Sequence, residues 1–188
     1  MTDLEFSKML SAANKIARST PYRDKMMLEL AVSVDGPWER YSYQETERIG
    51  PERSRHVQFT GNRFETIVIG DLVYQRKADG PWIRSRRSKP QSTQTVWTIN
   101  EATAEYTRNT ASAESLPIVV ERTLTGGSAR TKDGTVFDRS GTSRIWFDAQ
   151  GRIVKEEHIT FNHERQRFSR TTRDIEYDPT IRIESPID

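Results

Sequence analysis

The chain contains no cysteine. Disulfide bridges, thiolate nucleophiles and Cys-ligated metals are therefore excluded. It also lacks any apolar run near the roughly 20 residues of a membrane-spanning helix. Histidine is scarce: His56, His158 and His163 are the only three. His158 and His163 lie five apart on what reads as a strand and its turn, so alternation sends them to opposite faces. Glu156-Glu157-His158 does not have the H-E-x-x-H order that a helical zinc site needs, and no metal is expected. No glycine-rich strand–helix junction of the phosphate-loop kind is present, and Gly126-Gly127-Ser128 lacks the G-x-S-x-G nucleophile elbow. Glu45 and Glu47 share a strand face, as do Lys155 and Glu157, but on strands this polar they read as solvated rather than as acid–base pairs. Neither enzymatic activity nor a cofactor is expected.

An excess of one charge is missing too. Lys and Arg number 29 against 27 Asp and Glu, a net charge of +2 over 188 residues. The sequence pI near 8.9 hints at nucleic acid. Phosphate-backbone binding needs a concentrated positive excess, however, and none is expected here. Two local basic runs stand out, Arg84, Arg86, Arg87 and Lys89, and later Arg165, Arg167, Arg170 and Arg173. Parity puts Arg165, Arg167 and Arg173 on one strand face, as candidates for anionic head groups or transient contact with a membrane surface; ordinary solvated surface is the alternative. Apolar residues make up only 34% of the chain, which favours an extended sheet over a large packed interior. Met1-Thr2-Asp3 leads straight into an amphipathic stretch, and a leader or lipid-attachment cysteine, if the gene encodes one, is expected to lie outside this sequence.

What is present is mostly period-two pattern. Residues 3–18 are the exception: Leu4, Met9, Leu10, Ala13, Ile16 and Ala17 fall near one helical stripe, with Thr2 or Asp3 as cap. From Tyr22 the alternation places Tyr22, Met26, Leu28, Leu30, Val32 and Val34 on one strand face. Trp38–Ile49 and Arg53–Thr60 read as the next two strands. Phe64–Arg84 is the most informative stretch. Gly70-Asp71 suits a two-residue turn with glycine first, which would pair Ile69 with Leu72, Ile67 with Tyr74, Glu65 with Arg76 and Val68 with Val73. That hairpin is apolar on both faces, and an antiparallel sheet normally keeps one face wet. Such a hairpin must be covered twice or must bind something. Asp-Gly-Pro-Trp-x-Arg occurs at Asp35–Arg40 and again at Asp79–Arg84, the same turn used twice to start a strand with tryptophan. Residues 89–115 are polar and read as a lid or loop insertion, with a short helix over Asn100–Asn109. Strands resume at 116–124, 135–138, 143–147, 152–161 and 166–177, and Ile181–Ile183 closes the chain. The class is α+β: a curved antiparallel sheet, a half-open barrel, in a single domain over 1–188 with an N-terminal helix and a helical or loop lid.

Three pieces in this order resemble the bacterial lipoprotein-carrier superfamily of periplasmic lipid-binding proteins: Ile67–Tyr74 followed by Gly80-Pro81-Trp82; Ser143–Asp148 followed by Gly151 to Glu157; and Asp174–Pro179 through Ile181, Ile183 and Pro186. The resemblance implies a sheet wrapped around an apolar cavity that holds a lipid or lipoprotein acyl chain, in the periplasm or cell envelope, with a monomer expected. The cavity candidates are Met26, Leu28, Leu30, Val57, Phe59, Ile67, Ile69, Leu72, Tyr74 and Trp82, with Arg84 and Arg86 at the rim. The alternative is a protein–protein interaction module in which these side chains are ordinary core.

Overall fold

The computed structural model describes residues 1–87, 97–109, 118–130, 134, 136–138, 140–162 and 166–187. Helix α1 (Asp3–Ser19) opens the chain. Six strands follow: β1 (Tyr22–Ala31), β2 (Glu39–Ile49), β3 (Arg53–Thr60), β4 (Asn62–Ile69), β5 (Leu72–Lys77) and β6 (Ile83–Arg86). Then come β7 (Trp97–Asn100), β8 (Thr103–Asn109), β9 (Ile118–Thr125), β10 (Ser128–Arg130) and β11 (Val136–Asp138). The last three are β12 (Gly141–Phe147), β13 (Ile153–Asn162) and β14 (Arg167–Tyr177).

Among the described residues, eleven strands form one sheet in the order β6-β5-β4-β3-β2-β1-β14-β13-β12-β9-β8, and β11-β10-β7 form a small second sheet. The large sheet is curved and stays open, with β6 and β8 as its edges. The α+β class expected from the pattern is what forms. The sheet is two meanders joined by one long ladder, β1 on β14, running from Tyr22 opposite Tyr177 to Ala31 opposite Phe168. The β4–β5 hairpin takes the register read from the sequence, with Ile69 opposite Leu72, Ile67 opposite Tyr74 and Glu65 opposite Arg76. Gly70 occupies the left-handed region at φ +56°, which a side-chain-bearing residue adopts only with strain.

Each meander is covered on a different face. Helix α1 starts with a capping box: the Thr2 hydroxyl accepts from the Glu5 N–H, and the Glu5 carboxylate accepts from the Thr2 N–H. Its Phe6 and Ala13 pack with Val120, Ile145, Phe147 and Ile153, flanked by Tyr106, Ile118 and Ile175. Every sheet residue in that cluster belongs to β8, β9, β12, β13 or β14. We call this side the helix face. On the opposite side, beyond β14, residues 178–187 run without regular secondary structure. Ile181 and Ile183 of this tail are buried with Ile67 and Tyr74, against Ile49, Ile69, Leu72 and Trp82. That side is the tail face.

Two expectations need correction. Asn100–Asn109 is not helical: it supplies the end of β7 and the edge strand β8, because Thr103–Asn109 pairs with Val119–Thr125 through a full antiparallel ladder. The described part of the polar insertion is therefore strand, and its remaining parts, 89–96 and 110–115, lie outside the described residues. The strand face begun at Tyr22 ends at Ala31, and Val32 and Val34 project into solvent beyond it. The residues His163 and Arg165, and Thr135 at the start of an expected strand, also lie outside the described residues.

Candidate functional site

The ladders assign each side chain to a face, because residues directly opposite one another point the same way. Val57, Phe59, Ile67, Ile69, Leu72 and Tyr74 lie on the tail face. Met26, Leu28 and Leu30 lie on the helix face. The ten cavity candidates are thus divided between opposite sides of the sheet and do not line one hollow. Ile67, Ile69, Leu72, Tyr74 and Trp82 do come together, but Ile181 and Ile183 fill the space against them. Arg84 and Arg86 sit opposite Tyr74 and Leu72 on β6, so they edge the tail face.

Beside this filled hairpin runs a ladder of charges across five strands. Arg23 bonds Glu47 at 2.8 Å, and Glu47 reaches Arg55 at 3.5 Å. Arg55 bonds Glu65 at 2.7 Å, Arg76 bonds it at 2.7 Å, and Arg63 lies 3.3 Å from it. The Glu65 side chain is only 1% exposed. Burial pushes its carboxyl up, but the hydrogen bonds from Arg76 and Arg55 outweigh that and hold it below the usual range. The Arg76 guanidinium also stacks on Trp82, 4.6 Å from the ring centre. On the helix face, Arg173 bridges Asp24 at 2.7 Å and Glu156 at 3.0 Å. Burial opposes its charge, but the Asp24 carboxylate raises its pKa further. Arg170 bonds Glu29 and stacks on Trp38. Arg173, read from sequence as lipid-facing, and Arg170 of the same basic run are therefore held by acids within the fold.

Glu47 is not a solvated acid, since Arg23 and Arg55 engage it. Glu45 accepts the Tyr43 hydroxyl at 2.8 Å, and burial together with that bond pushes the tyrosine pKa up to about 12. Of the charge ladder, only Glu65 opposite Arg76 was legible in the sequence. Arg55 and Arg63 share its face by alternation on β3 and β4, a signal available once the Gly61-Asn62 turn fixes the register. The Asp24–Arg173 bridge joins residues at opposite ends of the chain, and no local pattern announces it.

The helix face of the β1–β6 meander has a different character. Three rows cross it: Met26, Gln44, Gln58 and Phe64; Asp24, Thr46, His56, Thr66, Gln75 and Ile83; and Tyr22, Arg48, Ser54, Val68 and Val73. The middle of these rows is polar and internally bonded. Gln44 donates to Thr46 at 3.1 Å, and the His56 ring lies 3.2 Å from both Thr46 Oγ1 and Ser54 Oγ. The outer ends are apolar and reach solvent, with Phe64 39% and Ile83 67% exposed. None of these residues belongs to the core cluster beneath α1. Where the end of α1 overhangs Tyr22, a cleft of about 660 Å³ opens between the helix, the β2–β3 turn and Arg87. No group of His, Asp or Glu suited to a metal ion occurs among the described residues.

No protein-family model matches this chain, and no curated protein matches it. A solved structure of a DUF1329 family protein from Desulfovibrio piger is similar over 93% of this chain and 92% of its own length, at 9% identity and a TM-score of 0.34. A likeness that loose assigns neither family nor function.

Proposed function

We propose that this protein is a non-enzymatic carrier or binding protein of the bacterial cell envelope that holds a lipid, a lipoprotein acyl chain or another amphiphile. The supporting observation is the helix face of the β1–β6 meander. It presents Met26, Leu28, Phe64, Val68, Val73 and Ile83 on a surface that α1 leaves uncovered. Phe64 and Ile83 reach solvent there, and exposed apolar side chains on one sheet face are suited to contact with an acyl chain. Burial against an acyl chain would contribute about 25 cal/mol per Å². The proposed surface differs from the cavity suggested by the family resemblance, because the tail occupies the other face. The envelope location rests on that resemblance alone. No catalytic step is assigned, since Glu65, Glu47, Asp24 and Glu156 are each committed to arginines.

The test is solvent extraction of the purified protein followed by mass spectrometry of the extract, together with uptake of an apolar fluorescent probe. A carrier brings lipid with it or brightens the probe, and Phe64→Ser/Ile83→Ser, both at exposed positions, weakens the response. A protein that carries no lipid and leaves the probe dark is not a carrier. The alternative, a protein–protein interaction module, then stands. It is favoured by β6 and β8, the edges of the sheet among the described residues, along which another chain could pair.

A further inference from the structure

We infer that the cleft beneath the end of α1 is a binding site for a phosphate-type oxyanion. Its walls come from three separate parts of the chain. Asn14 and Arg18 descend from the helix, Tyr22 and Arg48 form the floor at the adjoining ends of β1 and β2, and Arg87 enters just after β6. Three arginines thus line one space of about 660 Å³, and no Asp or Glu lines it.

What gives this weight is that three arginines share one cleft with no acid among its lining residues. Arg23, Arg55, Arg63, Arg76, Arg144, Arg152, Arg170 and Arg173 each hold an acid at 3.5 Å or closer. Among the described residues, Arg18, Arg48 and Arg87 hold none; Arg40, Arg53, Arg84 and several others hold none either, but those do not line this cleft. Acids close in sequence point elsewhere. Asp24 is taken by Arg173, Glu47 is on the tail face with Arg23 and Arg55, and Glu52 follows Pro51 without lining the cleft. Guanidinium is the side chain suited to this task, since its planar fork donates two parallel hydrogen bonds to a phosphate or carboxylate. The C-terminal end of α1 opposes an anion with roughly half a negative charge, which three whole positive charges exceed. Asn14 adds a neutral donor. A second cleft along α1 shares Asn14 and Arg18 and adds Ser11 and Lys15, extending the same polar, cationic path.

This site needs only the anion and stands apart from the acyl reading above. The anion has two possible sources, a free phosphate compound or a lipid head group. The experiment compares the native chain with Arg48→Gln/Arg87→Gln, which empties the cleft of two charges, and with Arg84→Gln/Arg86→Gln, which removes the same charge from the opposite face. All these positions are exposed, so the variants are expected to fold. Two probes are titrated: inorganic pyrophosphate, and vesicles of phosphatidylcholine with or without phosphatidylglycerol. Pyrophosphate binding that weakens at least tenfold in the cleft variant and holds in the control establishes the site for free phosphate compounds. The same pattern with phosphatidylglycerol vesicles alone establishes it for a head group. Binding of neither probe, or equal loss in both variants, overturns the proposal. Apolar-probe uptake in the cleft variant keeps this outcome separate from the fate of the carrier reading.

Discussion

In the β8–β14 meander a capped amphipathic helix lays Phe6 and Ala13 on Val120, Ile145 and Phe147, and the Arg122 guanidinium lies beside this apolar cluster against the Phe6 and Tyr106 rings. In the β1–β6 meander the cover is an irregular tail offering two isoleucines, and the largest fully buried side chain is a carboxylate, Glu65. The two regions share one sheet and differ in what closes them. A 17-residue helix brings a continuous stripe and can seal a broad face. A short tail cannot, so arginines complete the cover, laying their methylene stems over the strands while their heads neutralise Glu65. The same difference leaves the helix face of the β1–β6 meander open, which is where the proposed ligand surface and the arginine cleft both lie.

If the helix-covered meander is the stability core, Phe147→Ala there has the largest effect. Phe147 is 1% exposed, and its truncation is expected to cost about 4 kcal/mol and lower Tm by about 10 °C. Denaturant unfolding measures it, and a loss under 1 kcal/mol would show that this interior is loosely packed. Glu65→Gln comes next, at about 3 kcal/mol, because it takes the acid from Arg76 and the nearer of two acids from Arg55 and Arg63. The native Glu65 carboxyl sits below its ordinary value of 4.5, so its contribution is complete above that value and is lost as pH falls through the folded pKa. Glu65→Gln is therefore expected to flatten the acid limb of the stability profile; an unchanged limb would mean the ladder is not coupled to folding. The third is Ile181→Asp/Ile183→Asp, at about 2 kcal/mol, which should free the tail without melting the sheet. Hydrogen exchange then rises in 178–187 and in the β4–β5 hairpin while β9 and β12 stay protected. A uniform rise would show that the two meanders unfold as one.

How much of this was readable beforehand depended on the distance over which the information travels. The helix and its Thr2 cap, the strand alternation and the β4–β5 register are local, and each formed as the spacing required. Asn100–Asn109 misled because its Ala and Glu content fits a short helix, whereas Thr103, Tyr106 and Thr107 suit a strand and pairing with β9 decides its state. The doubly apolar hairpin posed the right question: its faces had to be covered or occupied. The answer needed the chain to return 110 residues later and set Ile181 and Ile183 on one of them. Arg18 and Arg48 are ordinary arginines in sequence and Arg87 is one of a local basic run, and only the tertiary fold puts the three around one cleft.

The smallest expected effect tests the open face itself. His56 lies on it, between Thr46 and Ser54. Burial lowers its pKa below the ordinary 6.5, the nearby Arg48 charge lowers it further, and Asp24 works weakly the other way. In the window between its folded pKa and 6.5 the unfolded chain binds more protons than the folded one. The contribution is thus complete above pH 6.5 and declines as pH falls through the folded value. An NMR titration should place His56 below 6.5 in the native chain. Arg48→Gln should move it upward by removing one cause and leaving burial in place, and a phosphate-type anion at Arg48 should move it the same way. His56→Gln should remove the decline below pH 6.5 without altering stability at pH 8 by more than a few tenths of a kcal/mol, since glutamine can keep one bond to Thr46 or Ser54. A His56 that titrates above 6.5 would mean its ring is solvated and paired with Asp24 instead. The bonded polar row would then give way to an acid–base pair, and the contrast between the sealed and open meanders would lose its clearest local marker.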